Sequence, residues 1–230
     1  MTALTGMRLS GFVRTGRAFA PLIAALVVLG AAYGGGHAQA GEAYGFSAAV
    51  LFPVLAWQTK LLLDNEPDVQ RRLALVAVGS RTREIAAGLL AAALAALAVV
   101  VLSLAVPWLL GGVTGPQRPG DPGLGEGVAA GVWANLLLLP AGLALGALAS
   151  RAATGSTARG LAVLATGVVF GYVLGVRGSV VPWFAPPVLP AGRSTVAGLE
   201  PAAMIGHTVH SLLWTAAVLA LYAWLRRRRA

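Results

Sequence analysis

The sequence predicts an all-α integral membrane protein, and three observations carry that prediction. Hydrophobic side chains make up 57% of the 230 residues and the mean hydropathy is +0.78, which leaves too little polar surface to cover a soluble chain of this length. Six apolar runs approach the about 20 residues that a helix needs to cross roughly 30 Å of hydrocarbon. The basic residues gather on alternate connectors between these runs, as they do on cytoplasmic loops.

The runs cover about residues 18–33, 44–63, 85–110, 128–150, 161–176 and 202–225, so six transmembrane helices are expected. The first and fifth are short and need flanking small residues, or a thinned bilayer, to span. Fourteen of the 17 Lys and Arg residues fall on one side. They are Arg8, Arg14 and Arg17, then Lys60, Arg71, Arg72, Arg81 and Arg83, then Arg151 and Arg159, then Arg226 to Arg229. Arg118, Arg177 and Arg193 fall on the other. Both termini and residues 64–84 are therefore expected in the cytoplasm. The preference for Arg over Lys, with abundant Ala, suggests a GC-rich bacterial source and hence the bacterial cytoplasmic membrane. A net charge of +9 does not imply nucleic acid here, because the arginines stand at the ends of apolar runs rather than in a basic patch. The absence of cysteine excludes disulfides and thiolate metal sites.

Ahead of the first run, residues 7–17 place Leu9, Phe12, Val13 and Gly16 on one helical face, with the three arginines off it. That pattern suits a short helix lying at the membrane surface. Behind the run, Ala38-Gln39-Ala40 resembles a signal-peptidase site, although the basic segment before it is long for a signal peptide. The sequence leaves cleavage at Ala40 open.

Residues 64–84, DNEPDVQRRLALVAVGSRTRE, crowd charge between two apolar spans. Asp64, Asn65 and Glu66 offer capping oxygens, Pro67 suits a first helical turn, and Asp68 puts negative charge where the helix dipole favours it. Val69, Leu73 and Val76 share a face at i, i+4 and i+7 from which Arg71 points away, while Leu75 and Val78 blur the pattern. Gly79 suits the end of this helix, and Ser80 or Thr82 the cap of the next, which Glu84 opens. A few residues would join two helices, so a capped helix of this length suggests a docking element. The competing reading is a solvated linker whose arginines only set topology.

The acidic start, the paired Arg71-Arg72, the turn LALVAVGSRTREIAAGLLAAAL and the long third span together resemble the membrane subunit of type 2 ABC exporters, best over residues 44–112. The resemblance implies a short coupling helix between spans two and three that rests in a cleft of a separate ATPase subunit. Glu66, Asp68, Arg71 and Arg72 would lie in that helix, and Arg81, Arg83 and Glu84 at the re-entry into the membrane. It also implies that ATP and Mg bind the partner ATPase, that a second permease copy, identical or paralogous, completes the path, and that this chain has no ATPase site. No GxxxxGK[ST] loop is present. In the same family the connector 177–201 dips back at the outer leaflet and helps close an exit gate. Trp183-Phe184 suits that interface, though by composition the segment also reads as a Pro-rich surface loop. Residues 111–127, with Gly115-Pro116 and Pro119-Gly120, read as an exposed loop.

Inside the spans, Gly142 and Gly146, and Gly167, Gly171 and Gly175, recur every four residues and permit close helix packing, more readily within one subunit than across a dimer. Gln58, Lys60 and Asn135 are candidates for a translocation path. Against that, Lys60 can snorkel to headgroups, and Asn135 can hydrogen-bond a neighbouring helix. His207 and His210 stand one turn apart near Glu200, but two imidazoles seldom suffice for a metal, and no metal or cofactor is expected on this chain. Ser156 lacks a companion base, and there is no nucleophile elbow or HExxH motif, so enzyme chemistry is unsupported. Apolar walls suggest an amphiphilic or hydrophobic substrate. The other readings are a secondary transporter, which often carries repeats or buried ionisable groups near midplane, and a non-transporting accessory subunit.

Overall fold

The computed structural model describes residues 1–228, with Asp68 described by its backbone alone; Arg229, expected with the basic C-terminus, lies outside the described residues. Helices α1 (Thr2–Arg14) and α2 (Phe19–Tyr33) meet at a 67° bend, where Gly16 takes a φ of +73° that a Cβ would disfavour. The chain continues through β1 (Ala38–Gln39), α3 (Ala40–Leu63), α4 (Asp68–Val78), α5 (Arg81–Leu109), β2 (Val113–Thr114) and α6 (Leu124–Leu148). It ends with the single turn α7 (Arg151–Thr154), then α8 (Thr157–Val173), a 3-10 turn at Pro182–Phe184, α9 (Val188–Ser194) and α10 (Pro201–Arg228).

Four helices, α3, α5, α6 and α10, are long and apolar enough to cross a membrane; α1 and α2 qualify only together, as a bent pair. The chain is thus consistent with a helical multi-pass membrane protein carrying four such helices, or five with the bent pair, where the sequence predicts six. The difference lies in the two short runs. At 1.5 Å per residue, α2 and α8 rise about 22 and 26 Å, below the roughly 30 Å of a hydrocarbon core.

Local signals set the helix ends. Gln39 accepts a hydrogen bond from the Gly41 N–H at 2.9 Å, Ser80 from Arg83 N–H, and Ser156 from Arg159 N–H, each satisfying an otherwise orphaned donor. Gly79 closes α4 at φ +68°. Three expectations need correction. The buried face of α1 is Leu4, Thr5, Arg8 and Phe12, so Arg8 points inward and Val13 outward. The 111–127 segment, expected as an exposed loop, starts as a strand, with the buried Val113 paired in parallel with Ala38 and Thr114 with Gln39. Asp64, Asn65 and Glu66 do not cap α4, whose N-cap is Pro67 with no side-chain cap bond.

The core is organised on α3 and α6, which pack along their whole length. Glycines make the approach close. A Cβ on Gly131 would fall 2.2 Å from the side chain of Tyr44, and one on Gly146 would fall 2.3 Å from the Ala56 carbonyl oxygen. Gly142 lies against Leu55, Gly167 against Leu145, Gly171 against Phe52, and Gly175 against Leu189 and Pro190. All five glycines of the two expected packing motifs therefore meet other parts of this same chain. Two hydroxyls inside the apolar bundle donate to carbonyls of neighbouring helices, Tyr172 to Ala49 at 2.8 Å and Ser211 to Leu137 at 3.0 Å, which satisfies them out of water.

At the other end from most arginines, the connector 177–201 folds back onto the bundle. Val188, Ala191 and Thr195 are fully buried. Thr195 Oγ1 donates to the Gly41 carbonyl at 2.6 Å, and only glycine fits at Gly41 and Gly45, where a Cβ would lie 2.0 Å from atoms of Thr195. Trp183 and Phe184 stay exposed.

The α3–α6 seam predicts opposite outcomes for two glycine substitutions. Gly146→Val should destabilise by about 1–3 kcal/mol through overpacking. Gly30→Ala, where a Cβ meets nothing within 4 Å, should stabilise by about 0.5–1 kcal/mol through helix propensity. Thermal unfolding in mild detergent reads both; equal midpoints for the two variants would mean the seam is not close-packed.

Candidate functional site

The arginine-rich end of the bundle holds a largely buried ionic network centred on Arg8. Because Arg8 shares the buried stripe of α1 with Leu4 and Phe12, its guanidinium is carried into the protein. Its Nη2 meets Glu66 Oε2 at 2.6 Å and Glu84 Oε1 at 2.5 Å, Nε adds a second bond to Glu66, and Nη1 donates to the Glu84 carbonyl at 2.9 Å. Glu84 extends the chain of charges to Arg226 at 2.9 Å, and Arg226 Nη1 donates to the buried Tyr222 hydroxyl. The Arg8 and Glu84 side chains are only 7% and 2% exposed. The gap they enclose with Arg71 and Tyr222 measures about 10 Å³, room for no more than one water. One arginine thus joins α1, the α3–α4 turn, the start of α5 and the end of α10.

A second cluster lies beside it. Lys60 Nζ pairs with Asp64 Oδ2 at 2.6 Å, and the other Asp64 oxygen accepts the Arg151 backbone N–H at 2.6 Å. Asp64 therefore caps the start of α7, eighty-seven residues away, rather than α4. Thr15 Oγ1 donates to Asn65 Oδ1 at 3.2 Å, tying the same turn to the α1–α2 bend. These tertiary bonds explain why the acidic residues do not cap α4: an unpartnered charge inside the protein costs far more than an open helix end in water.

Helix α4 is fastened by its base and bare on its outer side. Ala74 and Val78 turn inward against Leu4 and Ala87. Val69, Leu73 and Val76, the stripe at i, i+4 and i+7, are 68%, 64% and 81% exposed. Arg72 and Arg83 are exposed around it, with Arg71 and Arg81 partly so; the Asp68 side chain lies outside the description. Glu66 and Glu84, which the resemblance assigns to ATPase coupling, turn toward Arg8 instead of joining this exposed face. Glu66 is partly buried with its Oε2 on Arg8, and Glu84 is fully buried between Arg8 and Arg226.

The candidate path residues are all in the packed interior. Lys60 is held by Asp64 beside Gly160 and does not reach out to headgroups. Asn135 Nδ2 donates back to the Gly131 carbonyl of its own helix, not to a neighbour. Gln58 is buried, its Oε1 without a hydrogen-bond partner. His207 and His210 are half-buried on α10, and among the described residues no three His, Cys, Asp or Glu side chains come together to hold a metal. Ser156 serves as the cap of α8.

Sequence reasoning missed Arg8 and Arg226 as partners of the carboxylates. One signal was present: Arg8 stands four residues from both Leu4 and Phe12, a charge on an apolar stripe, and residues 64–84 hold the four carboxylates Asp64, Glu66, Asp68 and Glu84. Comparison of the chain with protein-family models, curated proteins and solved structures gives no match.

Breaking a buried pair from one side leaves the other charge stranded. Arg8→Ala should therefore cost about 3–5 kcal/mol, whereas the exposed Arg72→Ala should stay within about 0.5 kcal/mol of the parent. Unfolding midpoints in one detergent compare them. A small effect of Arg8→Ala would remove the network as the fastening of this end.

Proposed function

We propose that the chain is the permease subunit of an ATP-driven exporter of the type 2 ABC class in a bacterial cytoplasmic membrane. In this reading α4 is the coupling helix, on which a separate ATPase carrying ATP and Mg docks. The observation that carries the reading is the two-sided character of α4. A lever needs an exposed face for its driver and a stiff attachment to what it moves. Val69, Leu73 and Val76 present such a face, and the Arg8–Glu66/Glu84–Arg226 network attaches the base to α1, α5 and α10.

The roles divide accordingly. Val69, Leu73 and Val76 meet the ATPase, with Arg72 and Arg83, and to a lesser extent Arg71 and Arg81, around the contact. Asp68 belongs to the same helix. Glu66 and Glu84 transmit the movement instead of touching the partner. In this reading α2 and α8 are the short ones of six passes, and the charge bias puts both termini in the cytoplasm. The buried connector around α9, held to the outer half of α3, supports the reading of a gate at the far end. A second copy of the permease, identical or paralogous, completes the path, and an amphiphilic or hydrophobic substrate suits its apolar walls.

The test is gentle purification of the tagged chain expressed from its own operon, beside a Leu73→Asp/Val76→Asp variant. The parent should bring down a protein with a phosphate-binding loop and measurable ATP hydrolysis. The variant should lose it while keeping the parent's unfolding midpoint. Absence of any ATPase with the parent, in several mild detergents with nucleotide present, would contradict the proposal and favour an accessory or secondary-transport role.

A further inference from the structure

Helices α8 and α10 both pack on α6, yet they stand apart, and an apolar groove runs between them. Its part nearer the arginine-rich end measures about 530 Å³ and its outer part about 380 Å³; Leu148, Ala162 and Val163 line both, so the two are continuous. The inner walls add Leu221 and Leu225, and the outer part ends under Phe184 and Trp214. The inner part alone has the volume of an ordinary ligand pocket. Its one charged lining residue is Arg159, exposed at the first turn of α8.

Among the described side chains, no carboxylate pairs with Arg159 at this mouth. Glu66 and Glu84 are taken by Arg8 and Arg226, and Asp64 by Lys60. Beyond Leu225, Arg227 and Arg228 are exposed, with the Arg228 guanidinium stacked 4.0 Å from the Trp224 ring centroid. A long apolar channel that ends in arginines matches a molecule with a long apolar chain and an anionic head. A free phosphate or nucleotide would leave the channel unused, and a neutral lipid would leave the arginines unused.

We infer that this groove binds an anionic phospholipid of the inner leaflet, its acyl chain along Leu148, Ala162 and Val163 and its phosphate at Arg159. Arg227 and Arg228 add positive potential beside the head. The inference rests on the orientation that puts the arginine-rich end in the cytoplasm, where the leaflet is anionic, and not on the ATPase-coupled reading.

Native mass spectrometry of the purified chain, titrated with phosphatidylglycerol or phosphatidylcholine of identical acyl chains, tests it. The parent should retain phosphatidylglycerol in preference. Arg159→Gln should lower that preference roughly fivefold, the effect of one basic residue near a headgroup, while Arg159→Lys keeps most of it. Ala162→Trp, which fills the groove, should lower retention of both lipids. Unfolding midpoints in a neutral detergent certify the fold of each variant. Equal retention of the two lipids by the parent would overturn the inference. So would an unchanged preference in Arg159→Gln, or full lipid occupancy in Ala162→Trp. Dimers that retain no phosphatidylglycerol, and that Ala162→Trp turns into monomers, would also overturn it, by showing that a second copy covers the groove.

Discussion

The arginine-rich end of this protein depends on one guanidinium held between two carboxylates. Arg8 comes from the N-terminal helix, Glu66 from the turn before α4, and Glu84 from the first turn of α5. None of the three has a reason to be buried alone, since a lone charge out of water costs several kcal/mol. Together with Arg226 they form a neutral group of four. The pairing makes burial tolerable, and burial fixes where four separate chain segments must meet. The network's contribution is therefore positional more than energetic: a well-packed apolar substitute for all four can match its stability, but it would not specify the same junction so narrowly.

The remainder of the fold is a closely packed body to which that junction is joined. Gly131, Gly142 and Gly146 let α3 and α6 approach until side chain meets backbone, and Gly41 and Gly45 do the same for α9 at the opposite end. A bundle packed this closely moves as a unit, because interiors at such density transmit displacement instead of absorbing it. Helix α4 is the exception. It touches the body through Ala74, Val78 and the ionic base, and leaves Val69, Leu73 and Val76 uncovered.

Much of this was legible in the sequence, for identifiable reasons. The long apolar runs, the Gly79 stop, the Ser80 cap and the glycine repeats each rest on a local rule, and the structure shows the corresponding helices, turn and contacts. The Val69–Leu73–Val76 stripe was visible as a period. What the sequence did not disclose was partnership over distance. Asp64, Asn65 and Glu66 looked like caps because capping is the nearest use for a carboxylate or amide before a helix. In the fold they serve Arg151, Thr15 and Arg8. The face of α1 was misjudged for the same reason, since Arg8 looks like a surface residue until its two carboxylates are known. Spans of marginal length, α2 and α8, stay marginal in the structure as well.

The most direct test of the account is hydrogen exchange across residues 64–84 in lipid nanodiscs, comparing the parent with Arg8→Met. If the network fastens α4, amides of α4 and of the first turn of α5 exchange faster in the variant, while those of the α3–α6 seam keep their protection. Unchanged exchange over residues 64–84 would contradict the account, because α4 would then be held by its apolar contacts alone and Arg8 would not be what joins it to the body of the protein.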